Sequence, residues 1–254
     1  MTTILTQQQI TEYRRKGYVV LRRVFESECV REWRSECNRL LQLEIHDEHN
    51  LRTITRPDLT GKNLIERIDP VLDLSPVFQS LSKDERILQP LRELLDDDVM
   101  LFKDKIVFKL PGAQGYSMHQ DYSWWQRFPR DLINVLVAID PGDANNGGIE
   151  LVPGYHNCLL STAGEVRQMT EDEARQIDPN NVEPLQAEAG DLLIFDCLTP
   201  HRSAPNHSNH PRRHLYLTYS SAKHGDLYNA QFEYYKETHF SRSSGNSKQR
   251  LFFQ

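Results

Sequence analysis

The chain has 254 residues, with 30 Lys and Arg against 36 Asp and Glu, a net charge of −6 and 38% hydrophobic residues. That length fits one large β-rich domain, because all-β barrels often run to roughly 200–250 residues. A mean hydropathy of −0.62 and the lack of any apolar run near the ~18 residues of a membrane span argue against a membrane partner. The acidic excess argues against sequence-independent nucleic-acid binding, which needs clustered cations.

The cysteines and the first residues bear on the compartment. None of the cysteines forms a CxxC pair, which excludes a thiolate zinc ribbon and a dense disulfide framework; they are Cys29, Cys37, Cys158 and Cys197. Residues 1–6 lack the basic and apolar regions of a secretory signal. We therefore expect a cytoplasmic protein.

The N-terminal part, about residues 1–98, is predicted to be helical with one early strand. Thr6 and Gln9 form a capping-box pattern that starts a helix, and Gly17 ends it. The β-branched and aromatic run 18–21 predicts a strand. Apolar residues recur every three or four positions between Ser27 and about Leu43, which predicts an amphipathic helix.

The next residues carry weaker patterns. Residues 44–75 contain turn signals at Pro57, Gly61 and Pro70, and we interpret them as a loop-rich excursion. Residues 83–96 have helical periodicity, but Pro90 inside them predicts a kink or a break into two short helices.

From about residue 99 the pattern changes to short apolar or alternating runs between turns rich in Pro, Gly and Asn. The predicted strands are 101–110, 132–139, 148–152, 192–195 and 214–220. Strands after a helical third favour an antiparallel barrel or sandwich with helices on one face. We expect one domain, with a β core over about 99–222 and a C-terminal extension over 223–254.

His119-Gln-Asp121 is a possible metal-binding pair. Two residues spaced i, i+2 on an extended chain point to the same face and can bind one ion. With a distant second histidine they would form the 2-His-1-carboxylate triad of non-haem iron oxygenases. His201 is the natural partner, because it follows the predicted strand 192–195 at a turn.

The His-x-acid spacing alone is weak, since about one or two such pairs are expected by chance in a chain of this composition. Two further pairs occur, at His46 and His224. His46 lies in a polar loop with no strand before it. After His224, the interval to His239 is too short to bring two ligands together across several strands. We interpret both pairs as surface residues.

The predicted last strand has one polar and one apolar face. Its polar face carries Arg212, His214, Tyr216 and Thr218. A polar face that points inward requires a polar ligand inside the barrel, and an arginine there can bind a carboxylate bidentately. Asn134, within an apolar strand, must likewise find a partner, either a cosubstrate or a neighbouring strand.

Aromatic residues follow the predicted metal ligands. Tyr122 and Trp124 could form a substrate wall, whereas ordinary core packing is the alternative. Two adjacent tryptophans cannot both face one side of an extended chain, and we expect Trp124 in the pocket and Trp125 in the core. His156 could line the substrate channel. The charged segment 165–181 could be a lid or a solvated loop.

These motifs resemble, in order and over most of the chain, those of the phytanoyl-CoA dioxygenase family of Fe(II)/2-oxoglutarate oxygenases. The matching segments are 17–21, 109–112, 118–122, 131–133, 145–147, 152–156, 190–191 and 201–203, followed by Arg212. One departure is Arg202, which stands where the family often has glycine, and we expect it to face solvent.

The resemblance implies a mainly β chain with flanking helices around a double-stranded β-helix, the jelly roll of cupin-like proteins. It implies Fe(II) on His119, Asp121 and His201, with Arg212 and Ser203 on the distal carboxylate of 2-oxoglutarate. Asn134 is a further candidate for cosubstrate binding. O2 would be the second cosubstrate, and a small molecule would be oxidised as succinate and CO2 are released. Asp121 argues against halogenation, which in related enzymes needs a small residue at that place.

Substrate and outcome stay open at this stage. Hydroxylation, desaturation and ring closure are all compatible with the motifs, and the aromatic cluster favours a bulky cyclic or sugar-containing substrate, plausibly of specialised metabolism. Two other classes of function are alternatives: an inactive jelly-roll binding module, and a cupin-like metal-dependent isomerase or lyase. The sequence does not indicate an oligomeric state.

Overall fold

The structure is a computed structural model that describes residues 5–43 and 52–240. Its α-helices are α1 Gln7–Lys16, α2 Ser27–Leu41, α3 Pro76–Leu81, α4 Glu85–Leu95, α5 Glu171–Ala174 and α6 Tyr228–Phe240. Its strands are β1 Tyr18–Leu21, β2 Thr53–Pro57, β3 Asn63–Ile68, β4 Val99–Lys109, β5 Tyr116–His119, β6 Leu132–Ala138, β7 Ile149–Leu151, β8 Glu183–Pro184, β9 Leu192–Asp196, β10 His201–Ser203 and β11 Arg212–Ser221.

Two antiparallel sheets face each other. The larger has the strand order β1-β9-β6-β11-β4-β3-β2, and the smaller has the order β5-β10-β7-β8. Four strands of the larger sheet, β9, β6, β11 and β4, lie opposite the four strands of the smaller one. This is the double-stranded β-helix that the motifs predicted, with three further strands extending the larger sheet.

Alternation along β4 and β11 separates an apolar outer face from a polar inner one. The outward residues Ile106, Leu215 and Leu217 join a buried cluster with residues of α2, α3 and α4. Arg212, His214 and Thr218 occupy the other face and are also buried. The predicted polar interior is therefore present, and the helices cover the opposite side of the larger sheet.

The N-terminal helix follows its sequence signals closely. Thr6 and Gln9 form the reciprocal capping box, and Gly17 ends the helix with φ of +85°. A side chain at Gly17 would also meet the ring of His156 at 2.6 Å. A glycine is needed here both for its backbone conformation and for its missing Cβ.

Two predictions for the N-terminal part are wrong. Residues 52–75 contain a hairpin, β2 and β3, which pairs with the edge of β4. Its short strands carry mixed polar residues because they form an exposed edge, so the hydrophobic signal is weak. The predicted break into two short helices is also wrong, because α4 runs unbroken through Pro90, which is buried with Ile87 and Leu91. That packing outweighs the lost backbone hydrogen bond.

Segment 165–181 is anchored to the small sheet. Met169 and Ile177 pack with Met118 and Val152 in a separate apolar cluster, and the Met169 amide donates to the Met118 carbonyl at 3.2 Å. The alternative of a solvated loop is therefore wrong for these residues. None of the helices in the described ranges is both long and apolar enough to cross a bilayer.

Candidate active site

His119 and His201 are direct cross-strand partners. His119 ends β5, His201 begins β10, and the two residues stand opposite each other in the antiparallel pairing. Their ring centroids are 4.1 Å apart. Residues 82 positions apart in the chain are thus brought together by the register of the small sheet.

Gln120 determines how Asp121, the third candidate ligand, is oriented relative to His119. Gln120 is extended, with φ of −117° and ψ of 127°, so its neighbours point to the same side, as the spacing predicted. The Gln120 side chain points the other way and is fully buried. Its amide donates to the Leu198 carbonyl at 2.6 Å and accepts from the Leu160 amide at 2.7 Å. These bonds fix the backbone at Gln120, between the two candidate ligands His119 and Asp121.

Both imidazoles are oriented by backbone carbonyls. His119 Nδ1 lies 2.7 Å from the Ser117 carbonyl, and His201 Nδ1 lies 3.0 Å from the Thr199 carbonyl. A carbonyl only accepts, so each Nδ1 carries the proton and each Nε2 is left as a lone-pair donor. The His119 Nε2 is 4.0 Å from Asp121 Oδ1, and the His201 Nε2 is 3.9 Å from Asp121 Oδ2.

The electrostatics favour the protonation states that a metal needs. Burial, aided by His201, lowers the pKa of His119 to about 3. Burial also lowers the pKa of His201. Burial alone would raise the pKa of Asp121, but Lys105 leads a group of opposing charges that holds it below its usual value. Two neutral imidazoles and one carboxylate are the ligand forms of a 2-His-1-carboxylate centre.

The three side chains fit one metal ion. Their ligand atoms all lie within 4.8 Å of one another, and among the described residues they form the one such group of His, Cys, Asp and Glu. The second predicted His-x-acid pair is explained otherwise, since His224 Nε2 lies 2.7 Å from the carboxylate of Asp131. The third, at His46, lies outside the described residues.

Asn134 supports the carboxylate ligand. Its amide donates to Asp121 Oδ2 at 3.0 Å, and its carbonyl accepts from the Thr218 hydroxyl at 2.7 Å. Of the two partners expected for this buried amide, the structure shows protein groups at both ends. Such outer hydrogen bonds orient a metal ligand and tune its basicity.

Arg212 lies at the base of a second, smaller cavity next to the triad. It is 1% exposed, and its Nη1 donates to His214 Nδ1 at 2.6 Å. A guanidinium cannot accept, so His214 is neutral with its proton on Nε2. Burial and Arg212 together lower the pKa of His214 well below its usual value. Arg212 Nε is buried and has no hydrogen-bond partner in the part of the chain that the structure describes, which leaves a donor for an anion in this cavity.

Ser203 and Lys109 complete the polar end of the same cavity. Ser203 lines it beside Arg212, and its hydroxyl oxygen accepts from Lys109 Nζ at 2.7 Å. Lys109 is buried, and burial together with Arg212 lowers the pKa of its ammonium to about 6. A carboxylate bound here would be met by the Arg212 guanidinium, the Ser203 hydroxyl and the neighbouring lysine.

A larger cavity of about 130 Å³ opens on the other side of the triad. Trp124 lines it with its ring 5.6 Å from that of His119, edge to face. Trp125 reaches its wall but is 4% exposed and packs on Phe102 at 5.3 Å. Both tryptophans thus line this cavity, and Trp125 is the more deeply buried of the two. Helix α6 closes the outer side through Gln231 and Tyr234.

Two residues predicted to contact substrate lie elsewhere. Neither Tyr122 nor His156 is among the residues that line the two cavities. The Tyr122 hydroxyl donates to the Phe128 carbonyl at 2.9 Å, so its ring is part of the packing beneath the site. His156 packs on Gly17 at the end of α1. Arg202 is exposed and pairs with Glu150, as expected, but it also lines the rim of the smaller cavity.

Sequence reasoning assigned no role to the inward lysines of β4. Lys105 lines both cavities, and Lys109 contacts Ser203. The sequence contained a signal for these lysines, because residues 103, 105 and 109 alternate with the outer-core residues 106 and 108 along β4. A strand that alternates cations with apolar residues looks like an exposed edge unless its partner strand is known to be polar on the same side.

Comparison with known proteins agrees with this geometry. Residues 13–214 match the family model for phytanoyl-CoA dioxygenase (PhyH). The methylphosphonate hydroxylase of Gimesia maris is 29% identical over 243 residues, which cover 93% of this chain and 88% of that protein. The 2-aminoethylphosphonate dioxygenase of an uncultured bacterium is 25% identical, covering 91% and 87%.

A solved structure has the same fold. The crystal structure of EctD from S. alaskensis with bound Fe superposes with a TM-score of 0.76 at 23% identity, covering 88% of this chain and 80% of that one. The chain belongs to the phytanoyl-CoA dioxygenase family of non-haem iron dioxygenases, whose cofactor is Fe(II) and whose cosubstrates are 2-oxoglutarate and O2.

Proposed function

We propose that this enzyme hydroxylates a carbon of a small molecule, with Fe(II) held by His119, Asp121 and His201. The observation that carries the proposal is the convergence of these three ligand atoms within 4.8 Å, beside one cavity that ends in Arg212 and a second that reaches Trp124. An iron centre needs both, one for cosubstrate and one for substrate.

Bound iron supplies the activation of O2 that couples decarboxylation of 2-oxoglutarate to oxidation of the substrate. One oxygen atom enters succinate and the other enters the substrate, while CO2 leaves. The two electrons removed from the substrate C–H bond and the two released by decarboxylation together reduce O2.

The residues of the chain bind and orient the reactants. Arg212 and the hydroxyl of Ser203 hold the distal carboxylate of 2-oxoglutarate, with His214 fixing one arm of the guanidinium. Asn134 holds Asp121 through one N–H of its amide and is itself held by the Thr218 hydroxyl. Trp124 and helix α6 exclude water from the substrate side.

The test is metal-dependent formation of succinate, together with metal content and the visible charge-transfer absorption of an Fe(II)·2-oxoglutarate complex. His119→Ala and Asp121→Ala should each abolish turnover and the absorption band. His224→Ala is the matched control, because it removes the histidine of a His-x-Asp pair that binds Asp131 instead. It should retain both signals. Turnover without iron, or an unchanged band in His119→Ala, would overturn the proposal.

Arg212→Met separates this function from a metal-dependent lyase. It should raise the 2-oxoglutarate concentration needed for half-maximal succinate formation by at least about tenfold, because a charged hydrogen bond contributes roughly 1.5–3 kcal/mol. A lyase would turn over without the cosubstrate and would be indifferent to the change. The iron content of the Arg212→Met variant should equal that of the wild type.

A further inference from the structure

The two cavities meet at a wall of hydrogen-bond donors. Arg67, Lys105 and Tyr116 line both the cavity that ends in Arg212 and the larger one that reaches Trp124, as does the candidate ligand His119. This wall therefore lies beside the metal, where a substrate atom must be placed for oxidation. The proposed cosubstrate site at Arg212 and Ser203 does not account for the donors of this wall.

Two donors of this wall are not fully satisfied. Arg67 Nε is buried and has no hydrogen-bond partner among the described residues. Lys105 makes no ion pair with any residue in the described ranges, and its Nζ lies over the ring of Tyr216 at 5.3 Å from the centroid. A buried donor that lacks an acceptor is unfavourable, so these groups favour a ligand that accepts from them.

The charges of the wall are only partly balanced within the protein. Lys103 pairs with Asp69, which is also 3.8 Å from Arg67 Nε. Glu66 is shared between Arg56, at 2.6 Å, and Arg67, at 3.3 Å. The carboxylates Asp69 and Glu66 thus serve the three cations Lys103, Arg67 and Arg56. Lys105 forms no ion pair within the described ranges, and the carboxylate that it stabilises, Asp121, is already a candidate metal ligand.

Iron and cosubstrate do not remove this excess. The charge of Fe(II) and that of Arg212 are matched by Asp121 and the two carboxylates of 2-oxoglutarate. The loaded centre then has no excess of negative charge, while the wall beside it stays positive. In a buried site an uncompensated positive wall repels cations and attracts an anion.

Resting on the proposed function, we propose that the substrate is a small organic acid whose anionic group is bound by Lys105 and Arg67, with its carbon body directed towards Trp124. The cavity volume of about 130 Å³ is near that of an engineered cavity of ~150 Å³ that holds benzene. A space of this volume suits a body of a few carbon atoms. It favours such an acid over the bulky cyclic or sugar-containing substrate that the aromatic residues suggested.

Carboxylate, sulfonate and phosphonate share the chemistry that this wall recognises, and the experiment must distinguish them. The protein loaded with Fe(II) and 2-oxoglutarate is titrated without O2 against propionate, ethanesulfonate and ethylphosphonate, while the charge-transfer band is followed. Propionamide and propylamine are the neutral and cationic comparisons. At least one acid should shift the band, and should bind at least tenfold more tightly than the amide or the amine.

Two variants test the residues. Lys105→Met and Arg67→Met should each weaken binding of the acid at least tenfold and leave the 2-oxoglutarate affinity within twofold. Lys105→Arg and Arg67→Lys, which keep the charge, should recover part of the loss and also report on folding. Lys62→Met, an exposed lysine of the turn between β2 and β3, is the control and should change nothing.

Three results would overturn the substrate class. One is equal binding of the amide or the amine. Another is failure of all three acids to shift the band. The third is a Lys105→Met variant that loses 2-oxoglutarate affinity instead, because Lys105 would then belong to the cosubstrate. If no charge-transfer band forms with iron and 2-oxoglutarate at all, it is the proposed function that fails.

Discussion

Arg212 Nη1 donates to His214 Nδ1 at 2.6 Å, between two buried side chains on the same face of β11. This contact fixes one arm of the guanidinium, and Nε has no hydrogen-bond partner among the described residues. His214 is therefore a positioning residue for the cosubstrate site. It acts through the lone pair on Nδ1, which accepts from Arg212.

Replacing His214 by Phe should weaken 2-oxoglutarate binding about tenfold, because Arg212 loses the acceptor that orients it. Iron content should stay at the wild-type level, since His214 does not contact the triad. His214→Asn offers an amide oxygen as an alternative acceptor and should recover part of the affinity. Calorimetry of cosubstrate binding checks both. Equal affinity in wild type and His214→Phe would contradict the positioning role.

Asn134→Ala should lower Fe(II) affinity by roughly 10–100-fold, the usual effect of losing a hydrogen bond to a metal ligand. Asp121 Oδ2 would lose its donor, and the carboxylate would no longer be held towards the two imidazoles. Competition with a chelator measures the affinity. Thr218→Val, which removes the bond behind Asn134, should have a smaller effect of the same sign. A larger effect of Thr218→Val than of Asn134→Ala would refute this order.

Lys109 should make cosubstrate binding depend on pH. In the ligand-free protein its pKa is about 6, so the amine is mostly neutral at pH 7 to 8. A nearby carboxylate favours the ammonium form and raises this pKa, which means that binding takes up a proton. Affinity for 2-oxoglutarate should therefore fall as the pH rises above about 6 and until the raised pKa is passed.

The measurement is calorimetry of 2-oxoglutarate binding in buffers with different ionisation enthalpies. Wild type should take up close to one proton near pH 8, and Lys109→Met should take up none. The variant should also bind more weakly at pH 6.5 and show a flatter pH dependence. Identical proton uptake in the two proteins would exclude Lys109 as the titrating group.

Gly147 should not tolerate a side chain. Its φ is +72°, and a Cβ would lie 2.3 Å from the Ala204 carbonyl oxygen and 2.7 Å from Lys109 Cδ. Gly147→Ala should lower the free energy of unfolding by about 3 kcal/mol and disturb Lys109. Gly164 has a similar φ of +83° but nothing within 4 Å, so Gly164→Ala should cost only about 1–2 kcal/mol. Urea unfolding compares them, and equal losses would show that the close contact is unimportant.

The two adjacent tryptophans should separate stability from substrate binding. Trp125→Ala removes a 4% exposed ring packed on Phe102 and should cost about 3–5 kcal/mol of stability. Trp124→Ala should leave stability nearly unchanged and weaken substrate-dependent succinate formation. Thermal unfolding and turnover, measured on both variants, check the division. A stable Trp125→Ala protein would contradict the assignment of this ring to the core.

Structural features that depend only on adjacent residues were predicted correctly from local sequence signals. Thr6 with Gln9 begins α1, and Gly17 ends it, because capping and the left-handed conformation involve only a few adjacent residues. The His119 and Asp121 pair follows from period-two geometry around one extended residue. The hairpin β2–β3 escaped prediction because edge strands lack the buried alternation that marks a strand.

The sequence by itself determined the ligand types, the alternating polar face of β11 and the family. The tertiary structure decided which distant groups meet. Strand register places His201 opposite His119 and aligns Lys109 with Arg212. It also gives Lys103 an ion pair with Asp69, whereas Lys105 forms none within the described ranges. Pairing between strands is a long-range choice governed by packing of the whole sheet, and periodicity along one strand carries no information about its partner.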